Sequence, residues 1–272
     1  MAAEATERAE TQARSGGQAW VVVAAQELRD LWLSGRGLAL LLAFTALLSV
    51  TTYVVASNQE LNFLEQREAV SLTLQVSVTV GALLVVLAAA DSVAGERERG
   101  TLEGLLLTPA SRQELVVGKG LAALSLWAAA YVVSLPYLWW LGRDIGTFGT
   151  AAVGSLVVGS LLSLFLAAAG MLVSIFSSTS RYSVSLSFFL LLALYAPHQM
   201  PTEATRGWVG EMLLRIDPFT GGLTYLERLV LNEHALSQDV RLLVAPLLAA
   251  VVLPLLTVVA ARRLSLLPRE RS

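Results

Sequence analysis

Six charged side chains crowd into one short stretch of an otherwise apolar chain: Glu96, Arg97, Glu98, Arg99, Glu103 and Arg112. They lie between two long apolar runs, 72–90 and 115–140. A charge at the centre of a bilayer costs about 2.5–3.5 kcal/mol even on the mildest scale, so this island belongs outside the hydrocarbon, in a loop. Alternating acids and bases on a loop are suited to gripping another polar surface. The stretch also has internal order. Leu102, Leu105 and Leu106 recur at i, i+3 and i+4, which predicts a short helix over 100–107 with one apolar stripe, Glu103 and Arg99 projecting elsewhere. Pro109 stops it. Ser111 with Glu114 three residues on then reads as a capping box opening the next helix.

Bond-making chemistry finds no foothold in the sequence. There is no Gly-x-x-x-x-Gly-Lys-Ser/Thr loop, no His-Glu-x-x-His and no Gly-x-Ser-x-Gly. Gly118-Lys119-Gly120 lacks the earlier glycine and the following hydroxyl, and it opens an apolar helix. Cysteine is absent, which removes disulfides and thiolate sites, and two histidines, His198 and His234, are too few for a histidine metal cage. No cofactor is expected in this chain.

The elements that position the island are membrane spans. Hydrophobic residues make up 55% of the 272 and charged residues 15%, against about 25% charged in soluble domains. The net charge of −2, with basic residues dispersed around apolar runs, gives no nucleic-acid surface. Residues 1–17 read as a mobile tail without a signal peptide's basic start and apolar core. Over 18–35, Trp20, Val23, Ala24, Glu27, Leu28, Leu31 and Trp32 form a stripe at helical spacing, while Gln26, Arg29 and Asp30 fall on other faces. This predicts an amphipathic helix in the membrane interface; the alternative is an extended start of the first span.

Spans are expected at 38–56, 72–90, 115–140, 150–176, 182–196 and 242–261, within one transmembrane domain over 18–261. Pro136 should kink the third, with Trp139 and Trp140 forming an interfacial belt. Ser155, Gly159, Ser163 and Ala167 recur every fourth residue in the fourth span and would admit a close neighbour. Asp91, at the end of the second span, is expected to be exposed or capping. Two short pieces, 208–216 and 223–231, are too short to cross and should form interfacial or partly re-entrant helices on the outer face. A basic tail, 262–272, closes the chain. With the N-terminus inside, eleven basic residues (Arg29, Arg36, Arg97, Arg99, Arg112, Lys119, Arg181, Arg262, Arg263, Arg269, Arg271) face the cytoplasm. Six face outward (Arg67, Arg143, Arg206, Arg215, Arg228, Arg241), so both termini are placed inside.

The run Glu96-Arg97-Glu98-Arg99-Gly100-Thr101-Leu102-Glu103, continued through Thr108-Pro109, Ser111-Arg112 and Glu114-Leu115 to Gly118-Lys119, resembles the first cytoplasmic loop of type-2 ABC transporter permeases. The segment from Asp217-Pro218-Phe219-Thr220 resembles that family less specifically. The resemblance implies an all-α polytopic membrane protein: six transmembrane helices, an N-terminal interfacial helix and a cytoplasmic coupling helix between spans two and three. It implies a multi-pass permease of the cell membrane, an exporter subunit, paired with a second permease chain and with a separate ATPase that holds ATP and Mg. Glu96, Arg97, Glu98, Arg99, Gly100, Thr101, Glu103 and Arg112 would contact that motor, with Leu102, Leu105 and Leu106 packing the loop.

The spans carry almost no ionisable groups at depth, so active transport would have to draw its energy from outside the membrane. A second reading keeps the topology and assigns mechanical or assembly work on an extracytoplasmic partner. High alanine and leucine, with arginine over lysine, suggests a prokaryote with GC-rich DNA.

Overall fold

The computed structural model describes residues 19–57, 63–108, 110–200, 207–208, 212, 215–232 and 237–263. The tail over 1–17, most of 208–216, Pro109 and residues 264–272 fall outside them. Among the described residues every regular element is helical: α1 (Ala19–Leu33), α2 (Arg36–Ala56), α3 (Phe63–Arg99), α4 (Leu102–Leu106), α5 (Arg112–Gly142), α6 (Phe148–Phe176), α7 (Ser180–Tyr195), α8 (Pro218–Leu231) and α9 (Val244–Ala260), with single 3₁₀ turns at Ala196–Gln199, Val240–Leu243 and Ala261–Arg263.

Two glycines set the breaks that matter. Gly35, at φ 81°, separates α1 from α2, so the N-terminal helix is an element of its own and not the start of the first span. Gly100, at φ 71°, ends α3. Both angles are left-handed, a region costing an L-residue about 1–2 kcal/mol.

The helix bounds differ from the sequence reading in four places. The second span, expected at 72–90, is the middle of a 37-residue helix. Glu96 to Arg99, expected in the loop, form its last turn. Glu and Arg are good helix formers, and Arg97 and Arg99 suit the negative end of the helix dipole, so nothing stops the helix before Gly100. The short helix covers 102–106 rather than 100–107. The expected fifth span, 182–196, is α7, whose 16 residues reach only about 24 Å. Among the described residues, five helices are long and apolar enough to cross a membrane: α2, α3, α5, α6 and the segment Val240–Ala260.

The piece over 223–231 is part of α8, which is buried in the bundle. Asp217 caps it, accepting from the amides of Phe219 (3.1 Å) and Thr220 (3.0 Å). Phe219, Leu223, Leu226 and Val230 are fully buried. The helix is short, yet its apolar face is strong enough to be core.

The helices divide into an inner pair and an outer sleeve. In their most apolar stretches, 56% of residues of α3 and α6 are buried, against 17% for α2 and the last span. The inner pair touches directly: a Cβ at Gly170 of α6 would lie 2.7 Å from the carbonyl oxygen of Val86 on α3. Trp127 of α5 is wedged between them. A Cβ at Gly159 would stand 2.0 Å from its indole, and one at Gly81 2.9 Å. The expected stripe is therefore a packing surface, and Ser155, Gly159, Ser163 and Ala167 are all buried. Pro136 sits inside unbroken α5, and beyond it Arg143 lies over the exposed rings of Trp139 and Trp140, 5.2 and 4.9 Å from their centroids.

Candidate functional site

The charged end of α3 is tied to four other helices, and the tie begins with a missing side chain. Gly118 of α5 lets α1 come close, since a Cβ there would lie 2.7 Å from Val23 Cγ1 and 3.0 Å from the Ala24 amide nitrogen. One turn further along α1, Glu27 reaches Lys119, and Nζ donates to Glu27 Oε1 and to Glu96 Oε1, each at 2.5 Å. The Lys119 side chain is only 3% exposed. Along the same seam Trp32 Nε1 donates to Ser125 Oγ at 3.1 Å. An ammonium out of water needs this much: desolvation of a buried ion costs several kcal/mol, offset only by close, hydrogen-bonded partners. Glu96 keeps its second oxygen, Oε2, buried without a donor.

A second knot holds α3 to the start of α7. Asp91 accepts from Arg36 of α2 and from the Ser180 hydroxyl. It is half-buried and bridging, not a free exposed carboxylate. Ser183 Oγ donates to the Ala90 carbonyl at 2.7 Å, and the Ser180 amide donates to Glu98 Oε2 at 2.9 Å. Arg97 donates to the carbonyls of Ser177 and Ile175 at the end of α6, where the last turn leaves acceptors unused and favours a cation. Ser174 Oγ accepts from the amides of Val93 (3.1 Å) and Ala94 (2.8 Å).

Among the described side chains of helix α4, Leu102 ties it to this frame. Leu102 is buried with Val93, Val116, Met171, Ile175 and Ala261, which come from α3, α5, α6 and the turn after α9. Glu103 and Gly104 face outward, and Leu107 is 83% exposed. Ser111 and Glu114 form the expected capping box: the Glu114 amide donates to Ser111 Oγ at 3.2 Å and the Ser111 amide to Glu114 Oε2 at 2.8 Å. Arg112 Nη1 donates to the Arg262 carbonyl at 3.2 Å.

The eleven residues singled out in the sequence thus fall into different settings. Glu96, Arg97 and Glu98 hold this chain's own helices together. Arg99, Gly100, Thr101, Glu103 and Arg112 lie at the surface, Thr101 Oγ1 donating to the Glu96 carbonyl at 3.3 Å. Leu102 is core, and the side chains of Leu105 and Leu106 lie outside the description. Sequence reasoning passed over Glu27, Lys119 and the exposed Leu107. Two signals were available. Glu27 interrupts the apolar face of an amphipathic helix, and Lys119 stands inside an apolar run; opposite charges in such places are apt to be each other's partners.

This frame, from α1 to the turn after α9, coincides with a known family. A family model described as "ABC-2 family transporter protein" matches residues 21–261. The chain belongs to that family. The match takes in Glu27, Glu96, Lys119 and the whole of α4, so the ABC-2 frame includes both knots. Over 62 residues the chain is also 42% identical to the ABC transporter permease protein NatB of Bacillus subtilis (strain 168), a stretch that is 23% of this chain and 15% of that protein. With its apolar helices, ABC-2 membership makes this a multi-pass membrane protein of a transporter family.

Proposed function

We propose that this chain is the permease subunit of an ABC exporter. It lines half of a translocation pathway, faces a second permease chain, and couples to a separate ATPase that binds ATP and Mg. Both termini and α4 lie in the cytoplasm, α1 rests in the inner membrane interface, and α7 crosses as a sixth, short span. The observation that carries the reading is the mounting of α4: Leu102 is gripped by the ends of α3, α5 and α6, while Glu103 and Leu107 are left outward. A push on that outward face passes into α5, whose start is fixed by the capping box, and along its length toward the pathway. Docking force on a rigid lever is how small contacts become large displacements.

The test is Glu103→Arg in the assembled transporter. A charge misplaced at an interface costs several kcal/mol, so transport-stimulated ATP hydrolysis should fall at least about tenfold while the variant assembles in the membrane as before. Normal export with normal stimulated turnover would remove α4 from the coupling route. A cysteine placed at position 103 should also resist an impermeant thiol reagent in intact cells and react in inverted vesicles.

A further inference from the structure

We propose that the cavity beside the Lys119 knot binds the primary ammonium head of a membrane amphiphile. The cavity has a volume of about 820 Å³ and is walled by α1, α2, α3 and α5, with Val184 contributed by α7. That is the size of a small-molecule site, which runs to roughly 300–1,000 Å³. Four acids (Glu27, Asp30, Asp91, Glu96) and three bases (Arg36, Arg99, Lys119) line it, leaving one negative charge in excess.

Two of the three bases are engaged, and the third, Arg99, stands exposed at the wall. Lys119 is held by two carboxylates and Arg36 by Asp91. On the acidic side, Asp30 stands exposed at the wall, and Glu96 has a buried oxygen with no donor. Because Glu27 and Glu96 share the single Lys119 ammonium, the excess negative charge lies at the knot and favours a cation carrying N–H groups. The rest of the wall is apolar, with Ala39 and Leu40 from α2 and Leu87 and Ala88 from α3, two helices apolar enough to span a membrane. A soluble amine would leave that surface wet, and an anion would meet the excess negative charge. A hydrocarbon tail with an ammonium head satisfies both halves. The ligand comes from one of two sources: an aminophospholipid of the bilayer, or a single-chain cationic amphiphile.

The inference is independent of the transport reading, because it concerns binding at equilibrium. The full chain, purified in an uncharged maltoside detergent, is titrated by native mass spectrometry with phosphatidylethanolamine, with phosphatidylcholine of the same chains, and with dodecylamine. We expect one phosphatidylethanolamine per chain, bound about tenfold more tightly than phosphatidylcholine, whose quaternary head has no N–H to give; hydrogen bonds to charged groups are worth about 1.5–3 kcal/mol. Dodecylamine should displace it.

Asp30→Asn should weaken binding about tenfold. Ala39→Phe, which enlarges an exposed residue and disturbs no packed neighbour, should abolish it, and both variants should unfold at the wild-type temperature. Dodecylamine binding without phosphatidylethanolamine binding would assign the site to single-chain amines. Equal retention of both phospholipids with no dodecylamine binding, or undiminished binding in Ala39→Phe, would overturn the proposal.

Discussion

Helix α3 is held at its charged end and at its middle by opposite means. At the end, Glu96, Arg97, Glu98 and Asp91 reach across to four other helices through ions and hydrogen bonds. At the middle close packing dominates, because Gly81 and Gly159 admit the Trp127 indole between α3 and α6, with a single bond from its Nε1 to Ser160 Oγ. The two joints should fail differently. An ionic knot breaks when a single charge loses its partner and is mended by removing the rest. A steric wedge breaks when a methyl group is added and is mended by a smaller ring. On the proposed coupling route the end of α3 would carry whatever α4 receives, and a knot whose partners can be exchanged suits a part that moves. The close-packed middle suits a part that does not.

The largest effect expected is from Lys119→Met, which leaves Glu27 and Glu96 facing each other in a nearly dry site. Breaking a buried pair in this way costs about 3–5 kcal/mol, read as thermal unfolding in detergent. Adding Glu27→Gln and Glu96→Gln to the same chain should recover most of that loss, because a buried ionic set replaced whole is often close to neutral. If the triple variant is no more stable than Lys119→Met, the knot is not electrostatic in origin and the contrast with the middle of α3 disappears.

Next comes Gly159→Ala. Its new methyl would stand 2.0 Å from the Trp127 ring, which places it at the upper end of the overpacking range, about 3 kcal/mol. Trp127→Leu in the same chain should return part of it by vacating the wedge, though at the loss of the indole's bond to Ser160 Oγ. Lys119→Met should be no better tolerated in that background, since the two joints share no residue.

How much of this was legible beforehand follows the same division. The apolar runs announced the long apolar helices, five of which among the described residues could cross a membrane, and the Ser111–Glu114 box was readable because a cap is local in sequence. The stripe through Gly159 was readable as a surface, but its partner Trp127 was not, because nothing in spacing says which helix a small residue faces. The charged island was read as one outward-facing set because its members are adjacent. Folding sorted them by helical angle instead, turning Glu96 and Arg97 inward and leaving Glu103 out. The bridge from Glu27 to Lys119 spans 92 positions, and only the fold brings those residues together. The burial of α8 was missed for a related reason: a 14-residue helix is too short to cross a bilayer, and length alone does not reveal that its neighbours enclose it.

Smaller still is the loss of the cap. Ser111→Ala removes the acceptor for the Glu114 amide and should cost about 1 kcal/mol. Its interest lies in position, since it loosens the start of α5 beside α4 without touching either knot. Stimulated ATP turnover should therefore fall by a larger factor than detergent stability would suggest. A variant that loses stability alone would argue that α5 need not be rigid at its start.

The smallest effect tests the far end of α3, at Gln75. His198 Nε2 lies 3.2 Å from Gln75 Oε1 of α3, and the ring sits against Tyr195. Burial pushes its pKa below the usual histidine range, and the negative charges of Glu227 and Asp217 only partly oppose this. The unfolded chain, with an ordinary value of about 6.5, then takes up the proton first as pH falls. Stability is therefore fully present above that value and declines as the pH drops toward the folded value, the direction linkage requires when the unfolded state binds more protons. His198→Gln keeps a donor for Gln75 and has nothing to titrate. Between about pH 7.5 and 5.5 the wild type should lose stability relative to that variant, by less than the Ser111→Ala difference. Parallel curves for the two proteins would mean that the ring stays wet, and that this end of α3 is loosely held by comparison with its middle and its charged end.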